Sequence, residues 1–221
     1  MRLTGGFLGQ LTPEETSALM AAGRRRRYAR GTTLFEEGDQ SDRVVVVLTG
    51  RVKASSFADS GKETILAVRE AGELIGELST LDGQPRSATA TALDAVDALL
   101  VPAADFLAFL SANPRVGPLL LQLLSRRLRE SDRKRIEFGT VDAPGRVAAH
   151  LLQLAEQYGE LSSEGIRITL PLSQQELAAW LGLSREAVSK ALREFRMQGW
   201  IRTQRRAITI ASGTGLRRRA T

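Results

Sequence analysis

Residues 172–210 read LSQQELAAWLGLSREAVSKALREFRMQGWIRTQRRAITI, which sets two short helix signals, a glycine turn and a basic hairpin in immediate succession. Ser173 and Glu176 have the spacing of a capping box. The hydroxyl accepts from the amide three residues on and the carboxylate reaches back, so a helix opens at Gln174. That helix ends near Leu181, because Gly182 can adopt the positive φ that stops it. Ser184 then caps a second helix in which Val188, Ala191, Leu192 and Phe195 share one face. Beyond it Trp200-Ile201-Arg202-Thr203 and Ala207-Ile208-Thr209-Ile210 alternate as strands do, joined by Gln204-Arg205-Arg206. The order is that of a winged helix-turn-helix.

With its apolar face committed to a core, the second helix leaves Arg185, Glu186 and Ser189, with Lys190 one turn on, for a ligand. The N-terminal turn of a recognition helix is the part that reaches base edges. Arginine spans O6 and N7 of guanine, glutamate accepts from the cytosine amino group, and lysine serves a guanine or a phosphate. Ser173, Gln174 and Ser184 complete the candidate DNA-binding set on the helices, and Arg205 and Arg206 form a basic wing beside the phosphates. Taken singly, these signals fit an ordinary helical hairpin with a solvated outer face; in this order they predict a reader of duplex DNA. The charge distribution agrees. Residues 133–221 carry 15 Lys+Arg against 8 Asp+Glu and residues 1–132 carry 16 against 17, so the net surplus of +6 lies wholly in the C-terminal part. Its tail of Arg217, Arg218 and Arg219 is expected to touch DNA non-specifically.

At 221 residues with 43% hydrophobic side chains, the chain can build one large or two small cores. It has no run of about 18 apolar residues and no charged N-terminal segment followed by a long apolar one. Neither a membrane span nor a secretory signal is expected, and a cytoplasmic protein is. Zero cysteines exclude disulfides, thiolate zinc sites, cysteine-ligated iron–sulfur clusters, a cysteine nucleophile and thiol redox sensing.

Between residues 24 and 100, apolar or alternating runs fall between glycines: Thr33-Leu34-Phe35, then 44–48, 52–57, 64–68 and 88–101. Gly31, Gly38, Gly50, Gly61, Gly72 and Gly83 punctuate them at about the 8 to 12 residue spacing of sandwiches and barrels, which predicts a β jelly roll. The run Arg24-Arg25-Arg26-Arg27 reads as solvated surface. Residues 103–111 read as a short helix, and Asn113-Pro114 opens a longer one to about Gly139, with proline in the first turn. Along it Leu121, Leu124 and Leu128 recur at spacings of three and four, with Leu120 and Leu123 beside them, and the seam turns polar at Ser131 and Asp132. Two uses are open to that seam, covering the β-domain or pairing with a second copy of the chain. A further helix is expected over 145–158. The fold class is α+β, with expected domains at 1–112 (jelly roll), 113–139 (central dimerisation helix) and 140–221 (winged helix-turn-helix).

Within the β-domain, Glu73-Leu74-Ile75-Gly76-Glu77-Leu78-Ser79 precedes Pro85-Arg86-Ser87-Ala88. A short helical turn at 76–79 would offer amides, Arg86 a fork of donors for phosphate oxygens, Ser87 a hydroxyl, and Glu77 an acceptor for a sugar hydroxyl. The same residues serve equally as a surface pair with Glu77 bridged to Arg86.

A jelly roll carrying Gly76-Glu77-Leu78 and Arg86-Ser87-Ala88, then the long helix and the winged module, resembles the cyclic AMP receptor protein family of transcription factors over almost the whole chain. The resemblance implies that Glu77 holds the ribose 2′-hydroxyl, that Arg86 and Ser87 hold the cyclic phosphate, and that the long helices pair two subunits. The family's Arg-Arg-Leu-x-x-Thr-Ser, whose last two residues meet the base from both subunits, stands here as Arg126-Arg127-Leu128-Arg129-Glu130-Ser131-Asp132. The implied nucleotide-binding set is Gly76, Glu77, Leu78, Arg86, Ser87, Ala88, Arg127, Ser131 and Asp132. Asp132 departs from the pattern: its carboxylate can accept from the adenine amino group or from N1 and N2 of guanine, so cyclic AMP and cyclic GMP both stay open. Ser184-Arg185-Glu186-Ala187-Val188-Ser189-Lys190 matches the family's Ser-Arg-Glu-x-Val-x-Arg with lysine for the last arginine, which implies a half-site related to TGTGA. Also implied are an allosteric homodimer on a palindrome, its recognition helices roughly 34 Å apart, RNA polymerase as partner, no membrane and no catalytic residue.

Two other readings remain at this level. One is a constitutive DNA-binding regulator with a vestigial pocket. The other is a metal-dependent enzyme of the cupin type, since such enzymes share the jelly roll; they draw on two or three histidines, and this chain has only His150, on a predicted helix outside the β-domain, where it reads as an ordinary helix-face residue. No metal is expected, and the same count disfavours histidine-ligated haem and histidine-based triads.

Overall fold

The computed structural model describes residues 6–204 and 206–220, and the side chains of these except 134, 135 and 137–140. They form two compact units, one ending at Glu130 and the other beginning at Ser131.

In the first unit a 3-10 turn (Leu8–Gln10) and α1 (Pro13–Ala21) precede eight strands: β1 (Arg24–Tyr28), β2 (Thr33–Phe35), β3 (Arg43–Thr49), β4 (Val52–Phe57), β5 (Glu63–Arg69), β6 (Leu74–Ile75), β7 (Thr89–Ala92) and β8 (Val96–Pro102). They make two four-stranded sheets, ordered β1-β8-β3-β6 and β2-β7-β4-β5, and every pairing among them is antiparallel. The uninterrupted valines of β3 follow from its place between two cores. Side chains alternate across a strand, so Val45 and Val47 pack with Val52, Ala90 and Ala98 between the sheets. Val44, Val46 and Leu48 turn the other way, onto Phe106, Phe109, Leu120 and Leu123 of the helices that follow.

Those helices are α3 (Ala103–Ala112) and α4 (Val116–Thr140). On α4 the leucine seam divides: Leu120 and Leu123 are buried against the β-domain, whereas Leu121 and Leu128 are 67% and 61% exposed. Two expectations are corrected here. The long helix begins at Val116, because the Val116 amide donates to the Asn113 carbonyl (2.9 Å) and closes a turn around Pro114. The run 88–101 splits into β7 and β8, because Leu93 N–H donates to the Arg51 carbonyl (2.8 Å) and Asp94 accepts from the Arg51 amide (2.7 Å), turning the chain in mid-run. The arginines at 24 to 27 are exposed as expected and form β1, paired along its length with β8.

The second unit contains α5 (Ala143–Tyr158), β9 (Gly159–Ser162), β10 (Gly165–Ile168), α6 (Gln174–Leu181), α7 (Arg185–Met197), β11 (Ile201–Gln204), β12 (Ala207–Ile210) and α8 (Gly213–Ala220), with a sheet ordered β11-β12-β10-β9. Both expected caps form. Ser173 Oγ accepts from Glu176 N (3.1 Å) while Glu176 accepts from Ser173 N (2.8 Å), Gly182 takes φ +64, and Ser184 Oγ accepts from Ala187 N (3.1 Å). α5 opens earlier than 145, because Asp142 accepts from Gly145 N (2.9 Å) and Pro144 occupies the first turn. His150 is corrected from a helix-face residue to a core one: it is 8% exposed and meets the Trp180 ring edge-on at 4.8 Å.

Candidate nucleotide site and DNA-reading surface

β6 is followed by Gly76, whose φ of +83 turns the chain into α2 (Glu77–Asp82). Only glycine fits, since a Cβ there would collide with Arg86 Nη1. Arg86 arrives on the loop after α2, which Ser79 Oγ ties down by donating to the Pro85 carbonyl (3.2 Å). A second clamp comes from the loop after β2, where Arg86 N donates to the Asp39 carbonyl (2.8 Å) and Gly38 N to the Arg86 carbonyl (2.9 Å). The backbone at Arg86 is thereby fixed from both sides.

Its side chain is 2% exposed. Nη1 donates to the Gly76 carbonyl (2.8 Å) and Nη2 to the Arg43 carbonyl (2.5 Å), with Asp42 Oδ1 3.5 Å from Nη2 and the Phe35 ring centroid 4.3 Å from the guanidinium. Burial pulls the Arg86 pKa below the ordinary arginine value, and the Asp42 charge opposes that. Asp42 in turn is held below the usual carboxylate range, first by its bond from Arg43. Arg86 Nε is buried with no partner among the described residues.

Glu77, 2% exposed, accepts from Arg127 Nη1 on α4 (2.5 Å), and Arg127 Nη2 also donates to the Leu74 carbonyl (2.7 Å). The alternative in which Glu77 bridges to Arg86 is therefore corrected: two opposite charges lie buried on either side of Gly76, each satisfied by other groups. Of the remaining expected residues, Leu78 and Ser87 are exposed and Ala88 is half-buried. Ser131 and Asp132 are exposed residues of α4 within the second unit. Asp42, the Arg43 carbonyl and Phe35 were missed by sequence reading, because nothing in a loop or strand sequence marks which backbone will face a guanidinium forty residues away.

In the second unit Val188, Ala191, Leu192 and Phe195 are buried and Arg185, Glu186 and Lys190 exposed, with Ser189 half-exposed between them. Gln174, Arg185, Glu186, Ser189, Lys190 and Arg193 line one shallow groove. Arg193 was not expected there, although it stands four residues beyond Ser189 on the same helix face. The Ser173 and Ser184 hydroxyls are engaged as helix caps. Arg206 is exposed at the tip of the β11–β12 hairpin with φ +57; Arg205 lies outside the described residues. In the tail, Arg217 and Arg218 are exposed, but Arg219 donates to Asp142 (2.5 Å) and so helps to hold α8 to the start of α5. That bond, followed by the Gly145 amide, keeps the Asp142 carboxyl below the usual range.

Among the described residues, no helix is long and apolar enough to cross a membrane. The family model for the cyclic nucleotide-binding domain matches residues 25–113 and that for the Crp-like helix-turn-helix domain residues 145–219. The chain is 34% identical to the CRP-like cAMP-activated global transcriptional regulator of Mycobacterium tuberculosis over 97% of its own length and 96% of the relative's. It is 35% identical to the cyclic AMP receptor protein of Thermus thermophilus over 87% of this chain and 86% of that one. The fold is shared with the c-di-GMP responsive global regulator CLP of Xanthomonas campestris, at a TM-score of 0.80 and 22% identity, over 90% of this chain and 99% of that one. A nucleotide-binding β-domain, a long helix and a DNA-reading head in this order make the chain a member of the cyclic AMP receptor protein family of DNA-binding transcription regulators.

Proposed function

We propose that the chain is a cytoplasmic homodimer that cyclic AMP switches into a form reading a palindrome of TGTGA-like half-sites, with RNA polymerase as its partner at promoters. Its parts would be the nucleotide-binding domain at 1–112, the pairing helix at 113–139 and the DNA-binding domain at 140–221. The observation that carries the nucleotide reading is the buried pair of opposite charges flanking Gly76. Glu77, oriented by Arg127, would accept from the ribose 2′-hydroxyl, and Arg86 with Ser87 would donate to the cyclic phosphate, for which Arg86 Nε is an uncommitted buried donor. Ser131 and Asp132 would meet the base. The names of the Mycobacterium and Thermus relatives favour cyclic AMP over cyclic GMP. The metal-dependent enzyme reading falls with family membership.

The test is a titration of DNA carrying the palindrome with cyclic AMP, with cyclic GMP and without ligand. A ligand shifts an equilibrium only by its differential affinity for two states, so tightening by cyclic AMP of at least about tenfold is expected. Equal affinity in all three arms would leave the constitutive reading standing. Within the same assay, Arg185→Ala should cost about 1 to 3 kcal/mol on the palindrome and little on random DNA, because base readout and not phosphate contact is removed. A uniform loss across sequences would contradict base reading.

Pairing rests on α4, where the strongly exposed Leu121 and Leu128 stand seven residues apart on one face. Leu128→Glu is expected to shift sedimentation from dimer to monomer at micromolar concentration, through two desolvated carboxylates facing each other across the pair. An unchanged dimer would move the interface elsewhere.

A further inference from the structure

We propose that the cavity between the wing hairpin and the helix-turn-helix is a binding site for a medium-chain aliphatic carboxylate, and that its occupant competes with DNA for Arg185. The site stands on the second unit alone, and the competition rests on the DNA-reading surface described above. The cavity has a volume of about 480 Å³, within the range of about 300 to 1,000 Å³ usual for small-molecule sites. Its lining is largely aliphatic. Ile168 of β10, Leu170, Leu177 of α6 and Leu192 of α7 line it from buried positions, and Leu172 and Ile208 are half-exposed there. Among the described residues, neither an aromatic ring nor a carboxylate lines it.

The charge on the lining selects the head of the ligand. Its exposed members are Gln175 and Arg185 from the helices and Gln204 and Arg206 from the wing hairpin, two amides and two guanidiniums. Other arginines of this face are engaged: Arg196 donates to Thr203 Oγ1 (2.9 Å), and Arg202 pairs with Glu164. The side chains of Arg185 and Arg206 have no hydrogen bond or ion pair among the described residues. A guanidinium receives a carboxylate through two parallel bonds, so an anionic head is held at the exposed side while an aliphatic tail covers the leucines and isoleucines. Duplex DNA is unsuited to fill the cavity, because its phosphates and base edges are polar and lose hydration against aliphatic walls. Gln174 and Arg185 also line the groove formed with Glu186, Ser189 and Lys190. A carboxylate bound to Arg185 therefore takes from that groove the side chain that would span O6 and N7 of guanine. No sequence signal marks the cavity, since its aliphatic residues come from separate elements and read as core.

Calorimetric titration of the full-length chain, without DNA, with decanoate, octanoate and uncharged decanol below their aggregation concentrations tests the site. One decanoate per chain is expected to bind. Octanoate should be about tenfold weaker, since each buried methylene contributes about fourfold in affinity, and decanol about tenfold weaker for want of the charge-assisted bonds. Ala207→Trp puts an indole into the cavity without touching an arginine, and is expected to weaken decanoate at least about tenfold. Should that variant not fold, Arg206→Gln carries the comparison, weakening decanoate about tenfold and leaving decanol unchanged. Absence of decanoate binding, equal affinity for decanoate and decanol, or full decanoate affinity in the folded variant overturns the site. A second titration, of the palindrome with decanoate at about ten times its Kd, is expected to show DNA affinity about tenfold lower. Unchanged DNA affinity overturns the competition. If the chain binds no DNA with or without nucleotide, the DNA reading fails and the competition with it, while the decanoate titration still decides the site.

Discussion

Replacing Arg86 with alanine is expected to lower the affinity for cyclic AMP by about 100-fold or more and to abolish nucleotide-dependent DNA binding at ligand concentrations that saturate the wild type. The size follows from what the guanidinium would donate: hydrogen bonds to an ionised phosphate contribute about 1.5 to 3 kcal/mol each, and two of them span about 100-fold or more. A second cost falls on the protein without ligand. The Gly76 and Arg43 carbonyls now receive the Arg86 bonds at 2.8 and 2.5 Å, and Arg86 itself is 2% exposed. Truncation leaves those acceptors without their donor, at about 1 to 3 kcal/mol for each group that water cannot reach. The two effects separate experimentally. Calorimetric titration gives the affinity, thermal unfolding gives the stability, and Arg86→Lys should recover charge without the fork that serves two carbonyls and a phosphate together. If the alanine variant binds cyclic AMP normally while unfolding earlier, Arg86 is a structural brace and the phosphate reading is wrong.

The distribution of what could be read from sequence has a physical basis. The helix-turn-helix was legible to the residue because caps and stops are local chemistry: Ser173 and Glu176 find each other across three residues, and Gly182 supplies the left-handed turn alone. β3 was legible because its apolar run meets two cores at once. The β9–β10 hairpin was missed because all four residues of β9 are exposed, so no alternation marks it. α8 was missed because glycines at 213 and 215 disfavour a helix; it forms under tertiary pressure, with Leu216 fully buried and Gly215 so close to the Trp200 indole that no side chain fits between them. At the candidate nucleotide site the sequence marked Glu77 and Arg86 but paired them wrongly in one reading. Their actual partners, Arg127 and the Gly76 and Arg43 carbonyls, are set by how α4 and β3 pack, which spacing along the chain does not encode.

Phe195→Ala is expected to be the most destabilising single change on the DNA-reading side. The ring is fully buried on the inner face of α7, its centroid 5.6 Å from that of Trp200, and the Phe195 carbonyl accepts from the Trp200 amide (2.9 Å). Trp200 passes the contact on: its carbonyl accepts from the amides of Ala211 and Ser212 (2.9 and 3.0 Å), and its indole lies on Gly215 of α8. The recognition helix, the start of the wing hairpin and the C-terminal helix thus converge on one stack, and the ring of Phe195 is its base. Removing it forfeits the transfer free energy of the ring and leaves a cavity, together about 3 to 5 kcal/mol. A domain of this size has about 5 to 15 kcal/mol in total, so the unfolding midpoint should fall by 10 °C or more. None of the outward side chains Arg185, Glu186, Ser189 and Lys190 is touched. Affinity for the palindrome should therefore be near that of the wild type in the cold and collapse on warming, in step with unfolding. Arg185→Ala should behave in the opposite way, weak at every temperature with an unmoved midpoint. A Phe195→Ala chain that melts like the wild type would show that the stack does not hold α7 in place.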